Sequence, residues 1–153
     1  MRTLELKVPP LAVILVIGAA MWFIARWSVP CQLPLAVRLV AFVALALVGG
    51  TTSLAGYFEF KRARTTIDPR KPKDSTALVT SGIYRFSRHP MYAGLALLLV
   101  AWAVSLCSFW ALIGPVVFVL YIDRWQITPE ERALSARFGA AHSEYTARVR
   151  RWI

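Results

Sequence analysis

Two short clusters hold the side chains of this chain that could do chemistry. One is Tyr84, Arg85, Arg88, His89 and Tyr92, gathered around Pro90, and the other is the pair Glu130 and Glu131. Pro90 has no backbone N–H to lose and a φ suited to a first turn, so a helix is predicted to start there. The residues before it then crowd a helix mouth, which offers free N–H groups and the positive end of a dipole. Aromatic, cationic and imidazole groups meeting at the mouth of an apolar helix mark a site rather than a linker.

The elements that must position these groups are apolar. The 153-residue chain is 58% hydrophobic, with a mean hydropathy of +0.55. That is too apolar for an ordinary soluble domain and reads as one compact unit, residues 1–153. A net charge of +10 would suit nucleic acid. The Lys and Arg residues stand between long apolar runs, however, where membrane lipids with anionic headgroups are the fitting partner. Nucleic-acid binding is set aside on that ground. The expected class is all-α: an integral membrane protein with about four transmembrane helices and a C-terminal amphipathic helix at the interface.

Leu11 to Trp27 follows a basic start containing Arg2 and Lys7. The run is longer than a cleaved signal core and ends in Trp22, Phe23 and Trp27, which favours a retained span. Leu35 to Phe58 can span with some tilt, and its Gly49, Gly50, Thr51, Thr52 and Ser53 suit close packing. Residues 60 to 89 form a long basic connection, interrupted by Leu78, Val79, Ile83, Tyr84 and Phe86. Those apolar residues are expected to fold back against the helices. Pro90 to Leu106 and Phe109 to Ile122 are separated only by Cys107 and Ser108, which demands an antiparallel hairpin; Pro115 is expected to kink its second arm. With an inside N-terminus, Arg26 and Arg38 alone among the Lys and Arg residues fall outside. The N-terminus, the long loop and the tail are therefore predicted to face the cytoplasm. Cys31 and Cys107 would share the outer face, as a disulfide or as two free thiols, and nothing suggests a metal site.

In the tail, Thr128-Pro-Glu-Glu131 reads as a capping box, with Thr128 at the N-cap, Pro129 at N1 and Glu131 at N3. Glu131 then has a structural explanation, and Glu130 is the better ligand candidate. Leu134, Phe138, Ala141, Tyr145 and Val149 recur at helical spacing, with Gly139 as a point of breakage. Taken singly, Tyr84 and Tyr92 fit interface aromatics, His89 a helix cap and Arg88 a headgroup contact. Their joint occurrence favours a site.

Thr80-Ser-Gly-Ile-Tyr84, Arg88-His-Pro-Met-Tyr92, Glu130-Glu131, Phe138-Gly139 and Tyr145 resemble the isoprenylcysteine carboxyl methyltransferase family. Its wider relatives are the phospholipid and amine methyltransferases of the membrane. The resemblance runs from about residue 60 to the C-terminus, while residues 1–59 match only as generic spans. It implies an S-adenosylmethionine-dependent methyltransferase whose cofactor-binding core is residues 60–153. No strand, Gly-rich loop and helix of the soluble dinucleotide type competes with that reading. By matched position, Thr76, Ala77, Leu78 and Val79 would line the cofactor through their backbone. Tyr84, His89, Pro90, Met91 and Tyr92 would wrap its adenosyl and methionine parts. Glu130, with Glu131 beside it, would bind a polar or cationic group.

The implied acceptor is hydrophobic or lipid-like, of the isoprenylcysteine carboxylate type. A phospholipid or amine N-methyltransferase, or an NADPH-dependent reductase of the sterol type, is the alternative. In the carboxyl methyltransferases an arginine one turn before the first Glu serves the substrate. Here that position is Gln126, and Arg124, two residues earlier, is the candidate for orienting the acceptor. His89 is the second catalytic candidate.

Overall fold

A computed structural model describes residues 5–29, 31–65 and 76–152, and these are helical with no strand among them. In order they form α1 (Pro10–Arg26), α2 (Leu35–Arg62), α3 (Pro90–Leu106), α4 (Ile113–Ile122) and α5 (Thr128–Arg148). Two 3-10 turns, Gly82–Arg85 and Phe109–Leu112, precede α3 and α4, and a π turn, Asp123–Ile127, joins α4 to α5. Of the long basic connection, Pro69, Pro72 and the charges at 70, 71 and 73 lie outside the described residues.

Prolines open two of the helices, as their fixed φ permits: Pro10 begins α1 and Pro90 begins α3. Helix α3 ends at Cys107, whose φ of 50° is left-handed, and the chain reverses into the Phe109–Leu112 turn. The α3–α4 hairpin is thus present. Pro115 stands in the first turn of α4, directly after the change of winding from the 3-10 turn Phe109–Leu112 to the α-helix.

Helix α2 lies along α3 on its small residues. A Cβ on Gly49 would meet the Gly94 carbonyl at 2.7 Å, and a Cβ on Gly94 would overlap Ser53. Ser53 Oγ donates to the Met91 carbonyl at 3.2 Å. Small side chains at these positions let the two backbones approach so closely. Behind α3, Met21, Leu99, Ala103, Phe118, Ile122 and Ile127 form a buried core shared by α1, α3, α4 and the π turn. The large apolar side chains of the outward faces, among them Leu15, Val40, Leu47, Val116 and Leu120, are exposed. Helix α2 and the continuous helical run Phe109–Arg148 are long and apolar enough to cross a membrane.

One end of the bundle is tied by a disulfide between Cys31 and Cys107, with Cα atoms 5.1 Å apart, so these are not free thiols. Ser28 and Ser108 share a hydrogen bond of 2.6 Å beside it, and Arg38 donates to the Ser105 carbonyl in the last turn of α3. The chemistry-bearing residues gather at the other end.

Candidate functional site

Helix α3 begins with His89 as its N-cap residue, and the His89 backbone N–H donates to Ser87 Oγ at 3.2 Å. The Arg88 N–H donates to the Arg150 carbonyl at 3.0 Å, so the chain's last residues lie against the helix mouth. Tyr92, in the first turn, is buried and stacks on the His89 ring, with centroids 5.8 Å apart and planes 17° apart. Its hydroxyl donates to Glu130 Oε2 at 3.2 Å.

Glu131 is the ionic centre of the group. Its Oε1 accepts Arg88 Nη1 at 2.8 Å and faces His89 Nε2 at 3.3 Å, while Oε2 accepts Arg151 Nη2 at 2.6 Å. Arg151 also pairs with Asp123 at 3.1 Å. The capping box is therefore absent. Thr128 has helical φ and ψ inside the run from α4 to α5, and its hydroxyl donates back to the Asp123 carbonyl at 2.8 Å. The chain never leaves the helix there, because the wide π turn carries it through. That turn resets the register of α5 relative to α4, bringing both glutamates round to the mouth of α3.

The two glutamates are shifted in opposite directions. Burial alone would raise Glu131, but hydrogen bonds with His89 and Arg151 and the charges of His89 and Arg88 outweigh it and hold its pKa at about 2. Burial pushes Glu130 above the usual carboxylate range, and the His89 charge and the Tyr92 hydrogen bond offset this only in part. Among the described residues Glu130 has a single hydrogen bond, whereas the Arg88 and Arg151 charges are already met by Glu131 and Asp123. This leaves a desolvated carboxylate with no Lys or Arg ion-paired to it among the described residues. The donor set fits the positively charged cofactor that the sequence resemblance implies.

Tyr84 is buried beside this group. Its ring meets Phe60 edge-on at 5.4 Å, its carbonyl accepts the Tyr145 hydroxyl at 2.7 Å, and burial raises its pKa well above the usual value. The turn that carries it depends on Gly82, whose φ of 55° favours glycine and whose Cβ would lie 2.6 Å from Glu59 Oε1. Val79 is buried, and Leu78 and Ile83 are half-buried, as expected of a segment folded back. Phe86, 76% exposed, is not part of that packing.

Thr76 and Ala77 are tied instead to the end of α2, their N–H groups donating to Thr65 Oγ1 at 2.9 and 3.4 Å. Pro90 is buried under the helix mouth, and Met91 packs on Gly56, where a Cβ would come within 2.6 Å of Met91 Cγ. Arg124 stands apart from the glutamate group: it is half-exposed and faces Glu5 at 3.8 Å, a carboxylate it shares with Arg132 at 2.8 Å. Gln126 is fully buried and donates to the Val8 carbonyl at 2.5 Å.

Sequence reading missed Arg151 and His142. Nothing in local spacing marks Arg151, which reaches the site only because the chain doubles back. His142 is buried near Glu131, Arg88 and His89, and burial lowers its pKa. Its rarity was a usable signal, since the chain has two histidines and both lie here. An open cleft of about 420 Å³ between Phe23, Ile24, Trp27, Ser28 and Trp110 lies at the disulfide end and shares no residue with the glutamate group.

Comparison with known proteins points to methyltransferases. The phospholipid methyltransferase family model matches residues 37–141. Protein-S-isoprenylcysteine O-methyltransferase A of Arabidopsis thaliana is 30% identical over 105 residues, 69% of this chain and 53% of that protein. Protein-S-isoprenylcysteine O-methyltransferase B of the same plant is 38% identical over 72 residues, 47% of this chain and 36% of that protein. An uncharacterized protein of Haemophilus influenzae is 40% identical over 63 residues, 41% of this chain and all of that protein. The chain thus spans only about a third to a half of the named enzymes' length. No solved structure matches. With its matched segment running from α2 through most of α5, the chain belongs to the phospholipid methyltransferase family and is a relative of the protein-S-isoprenylcysteine O-methyltransferases.

Proposed function

We propose that this protein is an S-adenosylmethionine-dependent methyltransferase of the membrane, acting on a hydrophobic or lipid-like acceptor of the isoprenylcysteine carboxylate type. The observation that carries the reading is the meeting of Tyr92–Glu130 and Arg88–His89–Glu131 at the mouth of α3. When bound, S-adenosylmethionine supplies an electrophilic methyl group on a sulfonium. Ionised Glu130 would hold a cationic part of it. Tyr84, His89 and Tyr92 would enclose the rest, with Pro90 and Met91 forming the floor and the backbone of Thr76 to Val79 a wall. Glu131 positions Arg88, His89 and Arg151, and so keeps the pocket in shape. Methyl transfer from an activated donor asks little more of the protein than orientation and exclusion of water. Arg124 would orient an acceptor carboxylate by exchanging Glu5 for it.

We read the chain as four spans, α1 to α4, with α5 lying at the cytoplasmic interface. The disulfide supports that orientation independently of the charges: Cys31–Cys107 suits an oxidising compartment, and the glutamate group lies at the far end. A polar donor then enters from the cytoplasm and an apolar acceptor from the bilayer. The test is transfer of a labelled methyl group from S-adenosylmethionine by the purified chain in lipid nanodiscs, against prenylated cysteine analogues and membrane lipid extracts. Labelled product in the organic phase is expected. Binding of NADPH with no binding of S-adenosylmethionine would overturn the reading in favour of a reductase.

A further inference from the structure

Residues 5–8, just before α1, lie across the π turn that leads into α5. Glu5 Oε2 meets Arg132 Nη2 at 2.8 Å, and its Oε1 faces Arg124 Nη1 at 3.8 Å. The Leu6 N–H donates to the Trp125 carbonyl at 3.1 Å. The Val8 carbonyl accepts Gln126 Nε2 at 2.5 Å. Gln126 is fully buried and its Oε1 has no partner among the described residues, so Val8 is what answers this buried amide. The Trp125 carbonyl is a telling acceptor for Leu6. In an α-helix it would accept the N–H of the residue four positions on. That residue is Pro129, which has no N–H and whose ring crowds the same carbonyl. The winding widens here into the π turn Asp123–Ile127, and the Leu6 N–H supplies a donor that Pro129 cannot. Leu6 does so at a φ of 58°, a left-handed conformation unfavourable for leucine. Such a backbone persists only where its neighbours hold it, and Glu5 and Val8 are both tied to residues of the turn or of α5.

We propose that residues 5–8 are a clamp for the candidate site: the Leu6 N–H, flanked by the Glu5 and Gln126 contacts, fixes the Pro129 π turn and so sets Glu130 against Tyr92. Glu130 follows Pro129 directly, and among the described residues its one hydrogen bond is from the Tyr92 hydroxyl at 3.2 Å. Glu131 is held separately by Arg88, His89 and Arg151. A loosened turn therefore releases Glu130 first. Glu5, Leu6 and Gln126 are positioning residues and touch no reactant. Where donor affinity is the readout, the clamp rests on the methyl-donor reading; where the turn and the Glu130 carboxyl are read directly, it does not.

The experiment uses the full chain in nanodiscs and compares Leu6→Pro with Leu6→Gly. Both lose the leucine side chain, but only glycine keeps the N–H and suits a positive φ. Three quantities are read: hydrogen exchange of residues 123–131 against α3, titration of the Glu130 carboxyl in labelled protein, and calorimetric affinity for S-adenosylmethionine. The Glu130 signal is assigned with Glu130→Gln; Tyr84, His89, Tyr92 and Glu131 are the titratable groups that act on it or are acted on by it. Leu6→Pro is expected to speed exchange in 123–131 alone and to bring the raised Glu130 pKa down toward the ordinary carboxylate range. It should also weaken the donor by about three- to tenfold. Leu6→Gly stays close to wild type in all three. Glu5→Gln, which removes only the ion pairs with Arg124 and Arg132, gives the Leu6→Pro pattern at smaller amplitude and decides the matter if Leu6→Pro does not fold. Equal effects of Leu6→Pro and Leu6→Gly overturn the clamp, because the side chain and not the N–H is then responsible. Faster exchange throughout the chain with an unmoved Glu130 titration overturns it too, as a general loss of stability. Wild type that does not bind S-adenosylmethionine overturns the methyl-donor reading instead, and exchange and titration then decide the clamp by themselves.

Discussion

Glu130 and Glu131 are neighbours in the chain and opposites in environment. Glu131 is saturated with partners, so Glu131→Gln leaves the Arg88 charge without its counter-ion, at a cost of about 3 kcal/mol, read as a lower melting temperature. Its pH dependence has a definite sign. With the folded pKa held at about 2, the carboxylate contributes stability above its unfolded pKa of about 4.3 and loses it as pH falls from there toward 2. Stability against pH should therefore decline over that acid window in wild type and less so in the Gln variant. Glu130 behaves the other way. Burial raises its pKa, so acidification neutralises it before it would neutralise a free glutamate. Donor affinity is expected to fall as pH drops through that raised value, and Glu130→Gln should bind at least about tenfold more weakly at neutral pH with a flat profile. Calorimetric affinity from acid to neutral pH checks both. Read from the sequence, Glu131 has a structural role as a helix cap; its role is structural, but as the partner of Arg88, His89 and Arg151 rather than as a cap.

Among the elements, the helix opened by Pro90 and the hairpin turned at Cys107 were legible in the chain. Proline at a first turn and two residues between apolar runs leave few other arrangements. The π turn was not. It carries the run from α4 to α5 through Thr128-Pro-Glu-Glu131, a pattern that mimics a helix start, because Pro129 in a helix that has just changed its winding loses little. Gly139 was legible as a break, and its φ of 48° with ψ of −118° shows why only glycine is at ease there. Gly139→Ala should cost about 1–3 kcal/mol and loosen residues 140–152, seen as faster hydrogen exchange of that half alone. Gly94→Ala attacks a different joint. Its Cβ would overlap Ser53 and force α2 away from α3. A loss of about 1–3 kcal/mol is expected, and it should appear as global thermal destabilisation in detergent rather than local exchange.

At the scale of the molecule, one end is tied covalently and the other electrostatically. The disulfide closes a separation of 76 residues, and Cys31→Ser with Cys107→Ser should cost about 2–4 kcal/mol while leaving donor binding intact, measured by melting and calorimetry on the same sample. A parallel loss of donor binding would mean that the two ends are coupled. The sequence by itself determined the helical class, the apolar runs, the basic bias of one side and the cluster around Pro90, because these follow from hydropathy, proline geometry and residue type. Tertiary structure alone decided that the cysteines are joined, that Arg124 answers to Glu5, and that Arg151 and His142 come to the mouth of α3. Those are pairings between residues distant along the chain, and local spacing carries no information about which distant partner a folded helix will meet.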